Sequence, residues 1–281
     1  LHPLVAQLTY HEMAGCRHKM EDEMHEFLKS EKEAHILWLT LNRPERRNAL
    51  STPICEALIA LPQLIEDDID IRCVVITGEG EAFCAGADLK ERKEFDEDAR
   101  WKYVELVDQA LLDIEKIPVP VIAAINGHAL GGGTELALGC DIRLSVADAD
   151  FGLTETGIGI IPTGSIVRLL RDGHDGLNSL LTYTAAHFSA ARMAEMGFLH
   201  QIVDDVADLQ EMALVLAQQI AGNAPLALRA AKRVKRELAA GRTSEAMRQA
   251  EAIRRTLDGT QDCLEGLAAF AEKRDPVFTG A

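Results

Sequence analysis

Asn126-Gly127-His128-Ala129-Leu130-Gly131-Gly132-Gly133-Thr134-Glu135-Leu136 is the stretch on which the fold turns. It follows the apolar run Val119-Pro120-Val121-Ile122-Ala123-Ala124-Ile125, which reads as a strand, and its glycine triplet opens a helix. Glycines let the main chain approach a ligand closely. A helix start also offers unpaired N–H groups at the positive end of its dipole. The spacing is not G-x-G-x-x-G and no Gly-Lys-Ser/Thr follows, so dinucleotide and P-loop readings are weak. Tight strand–helix packing without any ligand accounts for the triplet equally well. Glu135 falls in the first turn of that helix, where a carboxylate often does no more than offset the dipole.

Two neighbours sharpen the picture. Phe151-Gly152-Leu153-Thr154-Glu155-Thr156-Gly157 places a second carboxylate twenty residues downstream, just before Ile160-Ile161-Pro162. Taken alone, Glu155 is an exposed loop carboxylate. Phe83-Cys84-Ala85-Gly86-Ala87-Asp88-Leu89-Lys90 puts small side chains where a strand gives way to a loop, leaving room for a ligand's body against the main chain. Asp88 in that segment also suits the cap of a helix running through Leu89 and Lys90. Together the three pieces supply two carboxylates and two backbone turns able to aim N–H groups at one point. His128 reads as a pocket-wall or packing residue, and Ser165 lacks a G-x-S-x-G context for a nucleophile.

The surrounding pattern is α/β. His35 to Leu41 and Cys73-Val74-Val75-Ile76-Thr77 read as strands, the second buried on both faces. Residues 48–66 carry helical spacing interrupted by Pro53 and Pro62. Residues 98–116 form a helix with Trp101, Val104, Leu111 and Ile114 on one stripe. Ile142, Leu144 and Val146 alternate in a further strand. Helical patterns then dominate, over 206–221, 226–240, 244–257 and 262–273. The expected organisation is an N-terminal extension over 1–30, an α/β core over 31–205 and a helical region over 206–281. The extension lacks the apolar run of a secretion signal, and Met20 or Met24 is the expected start of the natural protein.

A net charge of −16 over 281 residues disfavours general attraction to nucleic acid or anionic membrane. No apolar run reaches the roughly 18 residues of a membrane span. Six cysteines without C-x-x-C spacing argue against a metal site or a disulfide framework and for a cytoplasmic protein.

At these residues the chain resembles the crotonase superfamily, specifically its enoyl-CoA hydratases, with motifs much like those of methylglutaconyl-CoA hydratases. The resemblance runs through Asn42-Arg43-Pro44-Glu45-Arg46-Arg47-Asn48-Ala49-Leu50, the segments around Asp88 and Glu135, and Gly266-Leu267-Ala268-Ala269-Phe270-Ala271-Glu272-Lys273-Arg274. It implies a spiral of ββα units with a C-terminal helical trimerisation region, in a homotrimer or homohexamer. It implies an acyl-CoA thioester substrate, coenzyme A being part of that substrate, with no separate cofactor and no metal. The amides of Ala87 and Gly132 become the expected oxyanion hole. Glu135 is expected to activate water and Glu155 to deliver a proton. Ala85, Asp88, Leu89, Lys90, Arg46, Arg47, Phe270 and Lys273 become the expected substrate-binding set, the last two from a neighbouring subunit.

An enoyl-CoA isomerase and an inactive acyl-CoA-binding scaffold are the rival expectations. RNA binding, known for one relative, is disfavoured because residues 48–72 hold no lysine and several acids. Thr163-Gly164-Ser165-Ile166-Val167-Arg168-Leu169 departs from the family pattern by being one residue shorter, which bears on the placement of Glu155.

Overall fold

The computed structural model describes residues 26–239, 241, 248, 250, 252, 253 and 255–281. The expected start at Met20 or Met24 and half of the helix read over 244–257 lie outside them. Of the 1–30 extension only its last five residues are described, and Leu28, Lys29 and Ser30 among these belong to a strand.

Strand β1 (Leu28–Glu33) pairs antiparallel with β2 (Ile36–Leu41). Helix α1 (Thr52–Glu66) precedes β3 (Cys73–Gly78) and β4 (Ala82–Cys84), then the short α2 (Leu89–Glu94) and the long α3 (Glu97–Lys116). Next come β5 (Val121–Ile125), β6 (His128–Leu130) and α4 (Gly132–Gly139), then β7 (Ile142–Val146) and β8 (Asp150–Gly152). A single 3-10 turn, Glu155–Ile158, leads to α5 (Thr163–Arg171) and α6 (Asp175–Thr184). The chain continues through β9 (Phe188–Ser189), α7 (Ala190–Glu195), β10 (Gln201–Val203), α8 (Val206–Ala221), α9 (Pro225–Ala239) and α10 (Gln261–Glu272).

The strands sort into two sheets. The larger has the order β1-β2-β3-β5-β7-β10 and the smaller β4-β6-β8-β9. From β3 to β8, successive strands alternate between the sheets, so each ββ pair contributes one strand to each before the chain turns. That is the spiral of ββα units. Cys73 to Ile76 and Val121 to Ile125 are buried throughout, as parallel strands covered on both faces must be. Helix α8 places Leu209, Ala213 and Ala217 against this sheet. The change of character after Asp205 is therefore a change from strand to helix, and α8 remains part of the same core.

Some local expectations shift. Helix α3 buries Tyr103, Val107, Ala110, Leu111 and Ile114, whereas Trp101 is 65% exposed. Trp101 lies two residues before Tyr103 and so faces nearly the opposite side of the helix. Helix α1 runs on through both prolines: Pro53 sits in the first turn, where no N–H is needed, and Pro62 lies inside the last turns. It begins only at Thr52, because Arg47 and Asn48 adopt left-handed backbone with φ of 51° and 55°. Asn48 is buried there, accepting from the Arg43 amide and donating to the carbonyls of Glu79 and Ala82. The alternation read over Ile142, Leu144 and Val146 is blurred, since β7 lies between β5 and β10 and buries Ser145 as well.

Candidate active site

Strands β4, β6 and β8 are adjacent and parallel, so they end at one edge of the small sheet. Ala85-Gly86-Ala87 leaves β4, Gly131 to Glu135 leaves β6, and Leu153-Thr154-Glu155 leaves β8. Three segments remote in sequence are thereby delivered to one place, the usual location for sites in parallel sheets. Thr134 fastens two of them: its hydroxyl lies 2.6 Å from the Ala129 carbonyl oxygen and 3.0 Å from that of Gly152.

A cavity of about 120 Å³ opens there. Ala85, Ala87, Leu89, Gly132, Glu135 and Glu155 all line it. Helix α3 closes one side with Tyr103, Val104, Val107 and Asp108, and Ile158, Ile160 and Ile161 form an apolar rim.

Each glycine of the triplet has its own neighbour. A Cβ on Gly131, whose φ is +52°, would stand 3.0 Å from Glu155 Oε1. One on Gly133 would overlap the Cys84 carbonyl oxygen, so α4 begins pressed against β4. Gly132 faces the other turn: a Cβ on Gly86 would stand 2.9 Å from the Gly132 nitrogen. Neither the Ala87 nor the Gly132 amide donates to a backbone carbonyl among the described residues. The packing reading of the triplet thus holds for Gly133, while Gly132 keeps its amide free of backbone acceptors among the described residues.

Glu135 is buried, and its Oε1 accepts from the Ser165 amide at 2.8 Å. Burial pushes its carboxyl group up from the ordinary value, while the Ser165 contacts and Arg168 pull it back down. Glu155 is half-buried and its Oε2 has no hydrogen-bond partner among the described residues. Burial, and then the charge of Glu135, push the Glu155 carboxyl up to about 7. Glu155 is therefore no exposed loop carboxylate. Burial raises both acids, but the Ser165 N–H favours the ionised form of Glu135, whereas the charge of Glu135 raises Glu155 further.

The shortened segment 163–169 forms the start of α5 and brings the Ser165 amide to Glu135. Arg168 is fully buried behind it, donating from Nε to Glu115 at 2.5 Å and from Nη2 to the Leu111 carbonyl at 2.7 Å.

The remaining expected residues separate. Asp88 turns away from the cavity: it caps α2 through the amides of Lys90 and Glu91 and pairs with Arg43 at 3.1 Å. With Lys90 and Arg46 it lines a broader groove of about 520 Å³ on the other side of the same loop. Arg47 is exposed and lines neither space. Phe270, 86% exposed, and Lys273 lie at the end of α10 and reach neither space within this chain. His128 is not a wall residue: it is exposed and accepts the Asp150 amide at 3.0 Å.

Three contributors escaped the sequence reading. The Tyr103 hydroxyl accepts from the Asp88 amide at 2.7 Å and donates to the Leu50 carbonyl at 2.6 Å, fixing the loop that carries Ala87. Ser165 acts through its peptide group. Asp108 brings a third carboxyl group to the cavity. Only Tyr103 left a trace, being four residues from Val107 on the buried face of α3.

The family model for enoyl-CoA hydratase/isomerase matches residues 31–281. The YngF protein of Bacillus subtilis is 42% identical over 256 residues, covering 89% of this chain and 96% of its own. The enoyl-CoA hydratase EchA19 of Mycobacterium tuberculosis is 38% identical over 252 residues, covering 88% and 94%. A crystal structure of enoyl-CoA hydratase from Bacillus anthracis superposes with a TM-score of 0.86 at 38% identity, covering 91% of this chain and all of the other. With its fold, its cavity and these likenesses in agreement, the chain belongs to the enoyl-CoA hydratase/isomerase family of the crotonase superfamily.

Proposed function

We propose that this protein is a 2-enoyl-CoA hydratase, adding water across the 2,3 double bond of an acyl-CoA thioester. The observation that carries the reading is the pair Glu135 and Glu155 on one cavity, both raised by burial and only Glu135 held by a peptide N–H, beside the facing turns of Gly86-Ala87 and Gly131-Gly132. The thioester oxygen accepts the Ala87 and Gly132 amides and gains charge as the enolate develops. One such donor is worth about 3 kcal/mol of transition-state stabilisation. Water bonds through oxygen to Cβ and gives a proton to the Glu135 carboxylate, while the Glu155 carboxylic acid gives its proton to Cα. Both protons added to the system are accounted for, and exchange between the two acids through water restores the starting state.

An isomerase shifts a proton between carbons and has no need of a second acid–base group to activate water; the two carboxyl groups favour hydration over that rival and over an inactive scaffold. Lys90 and Arg46, together on the adjacent groove, are the cations we assign to the phosphates of coenzyme A. The exposed apolar side chains Leu264, Leu267 and Phe270 of α10 support a homotrimeric or homohexameric assembly. Loss of the conjugated-thioester absorbance of crotonyl-CoA measures the reaction. Glu135→Gln and Glu155→Gln are each expected to slow it by about 10²–10⁴-fold while acyl-CoA still binds. Near-full turnover by either variant overturns the two-acid assignment. A panel that includes methylglutaconyl-CoA separates the branched-substrate reading from the straight-chain one.

A further inference from the structure

Asp108 is the one acid on the wall that α3 presents to the cavity. Tyr103, Val104, Val107 and Asp108 share one face of the helix, and all four line the space that holds Glu135 and Glu155. Tyr103 marks the Ala87 end of this wall through its hydrogen bond with the Asp88 amide. Asp108 lies about 7.5 Å farther along the helix axis. Beyond it, Leu111 and Glu115 are held by Arg168 of α5, the helix whose Ser165 amide holds Glu135. Asp108 therefore stands on the side of the carboxyl pair, away from the oxyanion amides. Burial raises its own carboxyl group, with Arg168 opposing, and its charge contributes to the raised state of Glu135.

This inference rests on the hydratase reading, which puts Cα and Cβ between the two glutamates; whatever the acyl chain carries past Cβ then meets the α3 wall. We propose that Asp108 is a specificity-determining residue, selecting enoyl-CoA thioesters whose acyl chain ends in an uncharged group and rejecting those that end in a carboxylate. The cavity already holds three carboxyl groups, and Arg168, which is not part of its lining, donates to Glu115 and the Leu111 carbonyl and keeps only Nη1 unpartnered among the described residues. A fourth carboxylate in this partly enclosed space meets repulsion at short range from those that are ionised, and discrimination of this kind arises from such a built-in clash. Arg92 is the opposing feature: it lines the cavity from α2 and is the cation that an acyl carboxylate would reach.

The test compares kcat/KM for crotonyl-CoA and glutaconyl-CoA, the latter ending in a carboxylate, in the wild type, Asp108→Asn and Arg92→Gln. The wild type is expected to prefer crotonyl-CoA by about tenfold or more, and Asp108→Asn to shrink that ratio by about tenfold. A ratio unmoved by Asp108→Asn overturns the proposal. So does a wild-type preference for glutaconyl-CoA that Arg92→Gln removes. Should Asp108→Asn fail to fold, Asp108→Ser replaces it. If the wild type hydrates neither substrate, the hydratase reading fails separately. Selection is then read from calorimetric Kd values for butyryl-CoA and glutaryl-CoA. Tighter butyryl-CoA binding with a gap narrowed by Asp108→Asn upholds the role of Asp108, and equal affinities overturn it.

Discussion

Glu155 ionises near 4.5 as an isolated side chain and near 7 in the folded protein, chiefly because it is buried. Between those values the fold retains a proton that the unfolded chain has released. Folding therefore becomes less favourable as pH rises from about 4.5 to about 7, and the penalty is complete above that window. Glu155→Gln, which cannot ionise, escapes it. Thermal melts should show this variant gaining on the wild type between pH 5 and pH 8; a Tm difference constant across that range would mean that Glu155 titrates normally. The same proton is the one proposed to reach Cα, so wild-type hydration should decline as pH climbs past about 7, when the acid form disappears. The burial that costs stability is on this account also what keeps the proton for the reaction.

Helix α3 contributes a support that lies outside the chemistry. Tyr103 spans from the Asp88 amide to the Leu50 carbonyl, tying the loop after β4 to the chain before α1. Tyr103→Phe keeps the ring and removes both bonds, at a cost of about 1–3 kcal/mol in urea denaturation. Because the loop holds Ala87, kcat for crotonyl-CoA should fall by roughly tenfold, the effect of a modest misplacement of one donor. Full kcat in the variant would place the loop under other control. Tyr103 also shows where the sequence stopped speaking. The long elements were legible because β3, β5 and α8 carry unbroken apolar or helical patterns. The small sheet was not, since β4, β6, β8 and β9 have three residues or fewer and no period can be read from them. Glu135 and Glu155 were legible as a pair beside the glycine-rich segment, and the role expected of each came through resemblance. Ser165 was not legible at all, since a peptide N–H has no residue type, and Asp88 was ambiguous between a cap and a contact until its partner Arg43 appeared.

At the scale of the molecule, the C-terminal helices are pinned to the sheets by a few buried polar ties. Lys232 of α9 is buried, its Nζ donating to the Val119 carbonyl and to Asp141, each at 2.7 Å. Asp141 also accepts the Val121 amide, so a single carboxylate joins α9 to the start of β5. Lys232→Met removes the charge while keeping much of the volume, and should cost about 3 kcal/mol in urea denaturation by leaving Asp141 with the Val121 amide and the exposed Lys235 but no buried cation. A variant as stable as the wild type would show the tie to be dispensable. Arg72 makes a second tie, donating to the Ala221 and Phe278 carbonyls, while Asp262 accepts the amides of Thr279 and Gly280. The alternation of strands between two sheets has a further consequence, for the order of assembly. Each turn of the spiral lays down one wall of the cavity; the walls from β4 and β6 meet directly, and the wall that carries Glu155 is added only when β8 docks beside β6. No contiguous fragment ending before that strand holds both carboxyl groups, so the proposed reactivity arrives late, after the non-local pairings that slow a chain of this topology.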